Sequence, residues 1–391
     1  MNGTTRQGPM NGVRIVELGL WIAGPAATGI LADWGAEVIK IEPPRGDPAR
    51  SAMESILGIK GQRSPAFDVD NRGKRSVVLD LQAEEGKGAL MKLLATADVF
   101  ATNVRPAALE RLGLQPEKLR AEFPALIIAQ VTGYGSAGPD ENRPGYDSGG
   151  FWAYSGLAHQ FSGESGYPPL LVSAMGDHLT GITLASGIAG ALYGRTQSGT
   201  GCIVETSLLK TGIYAGASDF SLKLGLGFPQ LPISRAAADA PLVNCYKSAD
   251  NRAIWLLGVE GPRHWPIILK ALDIEHLADD ERFVDVRSRY KNRRALVAEF
   301  DKRFAEKDFE AWSAILDEQE VFWSPVNNLD DVIAGEQAAA IGAFPGLPAE
   351  GEDITTVGTP IDFDRRPTVP QGPTPALGAD TEEVLAELGL R

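Results

Sequence analysis

Residues Ser173–Gly181, SAMGDHLTG, set one carboxylate and one imidazole among small side chains, directly ahead of the apolar run ITLASGIAGALYG. Two chemistries are open to Asp177. As a helix cap it accepts backbone N–H bonds and stabilises the chain by about 1 kcal/mol. As a functional carboxylate at a helix start it is ionised, partly desolvated and beside backbone donors. Those conditions suit a nucleophile whose adduct oxyanion needs N–H groups. His178 takes no role from this pattern, because neighbouring helical side chains point about 100° apart. In Arg143–Gly150, RPGYDSGG, Tyr146 either offers a phenol to a substrate or closes a corner. Glu260 in LGVEGPRHW ends an apolar strand and faces either a cleft or water.

Other chemistries lack their residues. No G-x-G-x-x-G follows the first predicted strand, no G-x-x-x-x-G-K-[ST] occurs, and no G-x-S-x-G elbow is present. The two cysteines, Cys202 and Cys245, fit no metal spacing, and the four histidines form no H-x-x-x-H pair, so no zinc or other metal site is expected. A net charge of −14 argues against a general nucleic-acid binder, which needs clustered Lys and Arg. The basic residues are nevertheless uneven: Arg45, Arg50, Arg72, Lys74, Arg75, Arg105, Arg111 and Arg143 all fall in the first 150 positions. That bias fits either an anionic small molecule, such as a nucleotide, or a solvated surface. No apolar run reaches the roughly 18 residues of a membrane span and the N-terminal stretch lacks a signal-peptide core, so a cytoplasmic protein is expected.

The elements that must position these residues follow a regular alternation. VRIVELG, AEVIKIE, SVVLDL, DVFATNV and ALIIAQVTGYG read as strands. AGPAATGILADWG, AEEGKGALMKLLATA and PAALERLGL between them read as helices. Such alternation predicts an α/β fold with a parallel, doubly wound sheet, whose ligands sit beyond the carboxyl ends of the strands. Glu42, Asn103, Arg105 and the loop after Thr132 would lie at that edge. From about Leu222 the pattern changes to two short strands around a turn, YKSADNRAIWLLGV, followed by amphipathic helices. The expected division is a large domain over 1–221, a smaller α+β domain over 222–324, and a C-terminal segment, 325–391, returning to the large domain.

Six segments occur in one order: GVRIVELGLWIAGPAATGILADWGAEVIKIEPPRGDPAR, DNRGKRSVVLDL, TNVRPAALERLGL, VTGYGSAGPDENRPGYD, SAMGDHLTG and PALGADTEEVLAELG. Together they resemble the class III CoA-transferases, the family of formyl-CoA transferase and carnitine CoA-transferase, which also includes α-methylacyl-CoA racemase. The resemblance implies a Rossmann-like large domain built from both chain ends and an interlocked homodimer. It also implies coenzyme A and acyl-CoA as substrates beside a small carboxylic acid, with no permanently bound cofactor and neither nucleic acid nor membrane as partner.

Asp177 matches the family's catalytic aspartate, which attacks an acyl-CoA thioester to give an aspartyl anhydride and then an aspartyl-CoA thioester. Gly176 and other small residues let CoA and both acids approach its carbonyl. Trp21, Ile22, Ala23 and Tyr146 match active-site lining, and Arg45, Leu79, Asn103, Val104, Arg105, Arg111 and Arg143 match CoA-binding segments. Formyl-CoA transferase has an active-site Gln where this chain has Ile22. With Trp21 beside it, that change points away from an oxalate-like acceptor and toward a larger or more apolar acyl group. The glycine-rich lid of that enzyme is not evident, so closure would work differently. Racemases of the family carry His where this chain has Tyr146, and a phenol with an ordinary pKa near 10 is a poor base at neutral pH. Transfer is therefore expected rather than α-proton exchange, with racemase or isomerase activity, or acyl-CoA binding without turnover, as the alternatives. His178 and Glu260 stay unassigned.

Overall fold

The computed structural model describes residues 6–60, 63–227, 234–348 and 354–390. Six strands, β1 (Arg14–Leu18), β2 (Glu37–Glu42), β3 (Arg75–Val78), β4 (Val99–Thr102), β5 (Ile127–Thr132) and β6 (Ile203–Ser207), form one sheet in the order β3-β2-β1-β4-β5-β6. Every pairing in it is parallel. Parallel neighbours need crossovers, and helices on both faces bury the strands, which explains the near-continuous apolar runs IVEL, EVIKI and IIAQV. This is the doubly wound order of dinucleotide-binding sheets, and its topological switch point lies between β1 and β4.

Two cores sandwich the sheet. One packs Ala27, Ile30 and Leu31 of the Ala23–Asp33 helix with Leu184, Ala185 and Ile188 of the Met175–Ser198 helix. The other packs Leu90, Leu93 and Leu94 of the Glu84–Leu94 helix against Ile39, Ile41 and Phe100. The contact between the first two helices needs Gly181: a Cβ there would lie 2.8 Å from Ala26 Cβ.

The chain divides into two compact units. The first comprises 1–158, 170–229 and 336–391; the second comprises 159–169 and 230–335. The sequence places the junctions at 221/222 and 324/325, whereas the contacts place them at 229/230 and 335/336. In the first unit the C-terminal segment seals the edge strand β3. Asp380 accepts the Ser76 N–H (2.7 Å), and Thr381 Oγ1 accepts that of Val78 (3.0 Å). The large unit is thus built from both chain ends. The second unit is α+β: β7 (Val243–Lys247), β8 (Ala253–Leu257) and β9 (Trp323–Pro325) form an antiparallel sheet whose core includes Tyr246, Ile254, Trp265, Phe300 and Trp312. Among the described residues no helix is long and apolar enough to cross a membrane.

Candidate active site

Three strand ends converge at the switch point. The chain leaves β1 through Gly19-Leu20-Trp21 before the Ala23–Asp33 helix begins, and Trp21 adopts φ 65°, a left-handed conformation uncommon outside glycine. Two side chains hold this turn. Asn103, just after β4, donates to the Leu20 carbonyl (2.7 Å) and accepts the Leu20 N–H (3.0 Å), while Asp47 accepts the Trp21 N–H (3.1 Å).

Asp47 belongs to a buried ion network under the turn. Lys40 Nζ lies 2.9 Å from Asp47 and 2.7 Å from Glu17, whose other oxygen takes Lys74 Nζ at 2.6 Å; all four side chains are shut from water. Burial opposes the Glu17 charge, yet the two ammonium groups hold its pKa down to about 2. Lys40 has two carboxylates and titrates above its ordinary value despite burial. Lys74 shares Glu17 with Lys40, so burial and the rival ammonium win and its pKa falls to about 8.

Asp177 is the third residue of the Met175–Ser198 helix. The residue before that helix, Ala174, is left-handed (φ 59°) and offers no capping side chain. Capping therefore does not account for Asp177. A Cβ on Gly176 would lie 2.6 Å from Phe151 Cβ and 2.8 Å from Asp147 Cβ, so only glycine lets the helix start press against residues 147–151. Asp147 accepts the Ser148 N–H through Oδ1 (2.7 Å), but its Oδ2 is buried without a hydrogen-bond partner. The Asp177 pKa is pushed up to about 7, first by burial and then by the Asp147 charge; His178 acts in the opposite sense. His178 itself pairs with Asp70, Nε2 to Oδ1 at 3.3 Å, and its pKa is raised mainly by that contact.

Asp177 opens into a cavity of about 550 Å³ lined by Leu20–Ala23 after β1, Asn103–Arg105 after β4, Thr132–Gly133 after β5, and Arg143–Tyr146. That size suits a small-molecule site. Trp21 meets Tyr146 edge to face, with ring centroids 6.2 Å apart. Trp21, Ile22, Ala23, Arg45, Asn103, Val104, Arg105, Arg143 and Tyr146 are thus brought together with Asp177. Three other positions lie elsewhere. Gly176 sits behind Asp177 as its steric seat, Leu79 is buried in the core beneath the sheet, and Arg111 is exposed in the last turn of the Pro106–Leu112 helix.

Neither expectation for the early basic residues holds across the group. Arg50 is spent on Glu42 (2.6 Å), Arg72 on Asp33 (2.7 Å), Lys74 on Glu17, and Arg75 on Glu37 and Glu387 (2.9 and 2.8 Å). They are structural partners of carboxylates, neither ligand contacts nor solvated surface. Glu42 is likewise enclosed by Arg50, Ser76 and the Asp47 N–H. Arg45 and Arg105 are exposed and make no ion pair among the described residues, while Arg143 stacks over Tyr134 and Tyr154. Sequence reasoning missed Asp47, Asp70 and Asp147, because no spacing relates them to Asp177; only the fold does.

The family model of CoA-transferase family III matches residues 10–381. The chain belongs to CoA-transferase family III. Among curated relatives, it is 33% identical to (R)-2-hydroxy-4-methylpentanoate CoA-transferase of Clostridioides difficile, the match covering 97% of this chain and 95% of that protein. It is 32% identical to cinnamoyl-CoA:phenyllactate CoA-transferase of Clostridium sporogenes, covering 97% and 93%. Among solved structures, a CaiB/BaiF family protein from Brucella suis superposes with a TM-score of 0.81 at 29% identity, covering 98% of this chain and all of that one. As a family III CoA-transferase, the protein acts on CoA thioesters.

Proposed function

We propose that the protein moves CoA from an acyl-CoA to a free carboxylic acid with Asp177 as the nucleophile. The observation that carries this reading is the placement of Asp177: a partly desolvated carboxylate in the first turn of a long helix, opening into the cavity at the switch point. An Asp177 oxygen attacks the thioester carbonyl and the C–S bond breaks, giving a mixed anhydride and CoA thiolate. The thiolate attacks the aspartyl carbonyl, the anhydride C–O bond breaks, and the donor acid leaves an aspartyl-CoA thioester. An acceptor carboxylate then displaces the thiolate, and the thiolate attacks the acceptor's acyl carbonyl, which regenerates Asp177. Protons balance without a general base, because Asp177 attacks as its carboxylate anion. The helix N-terminus favours negative charge developing there.

Arg45, Arg105 and Arg143 ring the cavity and suit the phosphates of CoA, since guanidinium forks match phosphate oxygens. Asn103 serves by holding the Leu20–Trp21 turn rather than by reaching the ligand. Leu20, Trp21, Ile22, Val104, Val131 and Leu208 supply an apolar lining, which favours a branched or aromatic acyl group over a compact dicarboxylate. A homodimer is supported by Tyr193, Tyr214, Leu224 and Leu226, large apolar side chains left exposed on consecutive helices of the large unit. Sedimentation should give twice the 41.7 kDa chain mass; a monomer would count against this part.

Incubation with an accepted acyl-CoA followed by hydroxylamine should modify Asp177 and inactivate the enzyme. Full activity in Asp177→Ala would refute the mechanism. Across a panel of acyl-CoAs and acids, branched and aromatic acyl groups should turn over at least about tenfold faster than oxalate or succinate, the scale expected for burying one or two extra methylenes.

A further inference from the structure

We propose that His178, held by Asp70, is a positioning residue that favours the ionised form of the Asp177 carboxylate. The proposal rests on reading Asp177 as the nucleophile. Asp177 and His178 are consecutive in the first turn of the Met175–Ser198 helix, so the imidazole turns away from the cavity into which Asp177 opens, and there it meets Asp70 at 3.3 Å.

Asp70 is no mobile surface acid: its residue is 3% exposed, in the last turn of the Pro65–Asn71 helix. A Cβ on Gly29 would lie 2.6 Å from the Asp70 carbonyl oxygen, so this helix and the Ala23–Asp33 helix touch at Asp70. The adjacent Asn71 is bonded to the Phe67 carbonyl (2.9 Å) and to buried Lys74 (3.1 Å), which fixes the backbone that presents the carboxylate.

Arg45, Arg105 and Arg143 line the cavity into which Asp177 opens, and His178 is the cation beside it on its own helix. Asp147, from the segment under the helix start, and Asp70, from the Pro65–Asn71 helix, both work against ionisation of Asp177. The Ala23–Asp33 helix packs against the first turns of the Met175 helix with Ala23, Ala26 and Ala27; its one charge, Asp33, is bound to Arg72. On the remaining neighbours, Glu205 of β6 and Lys210 of the Leu208–Ala215 helix are exposed, and β5 carries no charged residue. The charges acting on His178 are Asp70, Asp177 and Asp147. An imidazolium seated on Asp70 therefore cancels one neighbouring anion and stabilises the carboxylate beside it. A neutral amide in its place keeps a hydrogen bond to Asp70 and loses that effect.

The test uses the intact enzyme labelled with carbon-13 at aspartate side-chain carboxyls, with Asp177→Asn assigning the resonance. In His178→Gln the Asp177 titration midpoint should rise by about half to one pH unit, the scale for losing one partly exposed charge. The low-pH limb of kcat/KM should move up with it, so that the rate at pH 6 falls about three- to tenfold and the deficit shrinks as pH rises. In Asp70→Asn the His178 imidazole midpoint should fall. An unchanged Asp177 midpoint in folded His178→Gln, or an unchanged His178 midpoint in Asp70→Asn, would overturn the proposal. If the Asp177 midpoint moves and the kinetic limb does not, the role assigned to His178 is supported and the nucleophile reading fails.

Discussion

At the scale of the residue, Asp177 is a carboxylate in a helix first turn, where backbone N–H groups and the helix dipole ordinarily favour its charge. Burial and the Asp147 carboxylate outweigh them and push its pKa up to about 7. An acid titrating higher in the folded than in the unfolded chain costs stability while it is ionised. The cost is full above about 7, shrinks as pH falls toward 3.8, and vanishes below it. Asp177→Asn should therefore abolish transfer and yet stabilise the fold by on the order of 2–4 kcal/mol at pH 8, with no gain near pH 3.5; thermal unfolding at the two pH values checks this. Asp147→Asn removes a repelling charge, so Asp177 should ionise more easily and the low-pH limb of the rate should extend to more acid conditions. A pH–rate profile that stays in place would contradict that assignment. Asp177 was legible as a candidate from SAMGDHLTG and its five companion segments. Asp147 and Asp70 were not, because they come to Asp177 through folding and share no period or motif with it.

At the scale of the element, two glycines and one strained turn do the positioning. Gly176 seats the helix start on Phe151 and Asp147, so Gly176→Ala should cost about 1–3 kcal/mol and lower the rate of Asp177 trapping by more than the stability loss explains. Equal trapping rates at equal folded fraction would show that the seat does not matter. The strands were legible because apolar runs bounded by turns are what a sheet buried on both faces requires. The Pro65–Asn71 helix was not: its seven residues carry four buried side chains, two of them acids, and give no amphipathic signal. The exact start at Met175 carries no signal in the sequence for a related reason. A left-handed Ala174 begins this helix where a Ser, Thr, Asp or Asn cap would have announced it, and the only acid nearby lies inside the turn.

At the scale of the whole molecule, the order β3-β2-β1-β4-β5-β6 brings the loops after β1, β4 and β5 to one edge, and the cavity lies there. Strand–helix alternation foretold the sheet; the resemblance, rather than any periodicity, foretold that both chain ends build the large unit. The early basic residues misled because their partners, Asp33, Glu37, Glu42 and Glu17, are scattered through the same segment, and only folding pairs them. Glu17 is the centre of this network, and Glu17→Gln would leave Lys40 and Lys74 buried with one carboxylate, Asp47, between them. It should destabilise the protein by about 3–5 kcal/mol in urea unfolding and loosen the Trp21 turn that Asp47 holds. A loss under about 1 kcal/mol would show that water or a proton shift replaces the pairing. The measurement that most directly tests the central claim uses an acceptor acid labelled with oxygen-18 in its carboxylate. Through the anhydride and thioester steps, one acceptor oxygen must end in the Asp177 side chain, so peptide mass spectrometry after a single turnover should find one heavy oxygen there. Transfer of CoA to the labelled acid with Asp177 left unlabelled would contradict the account.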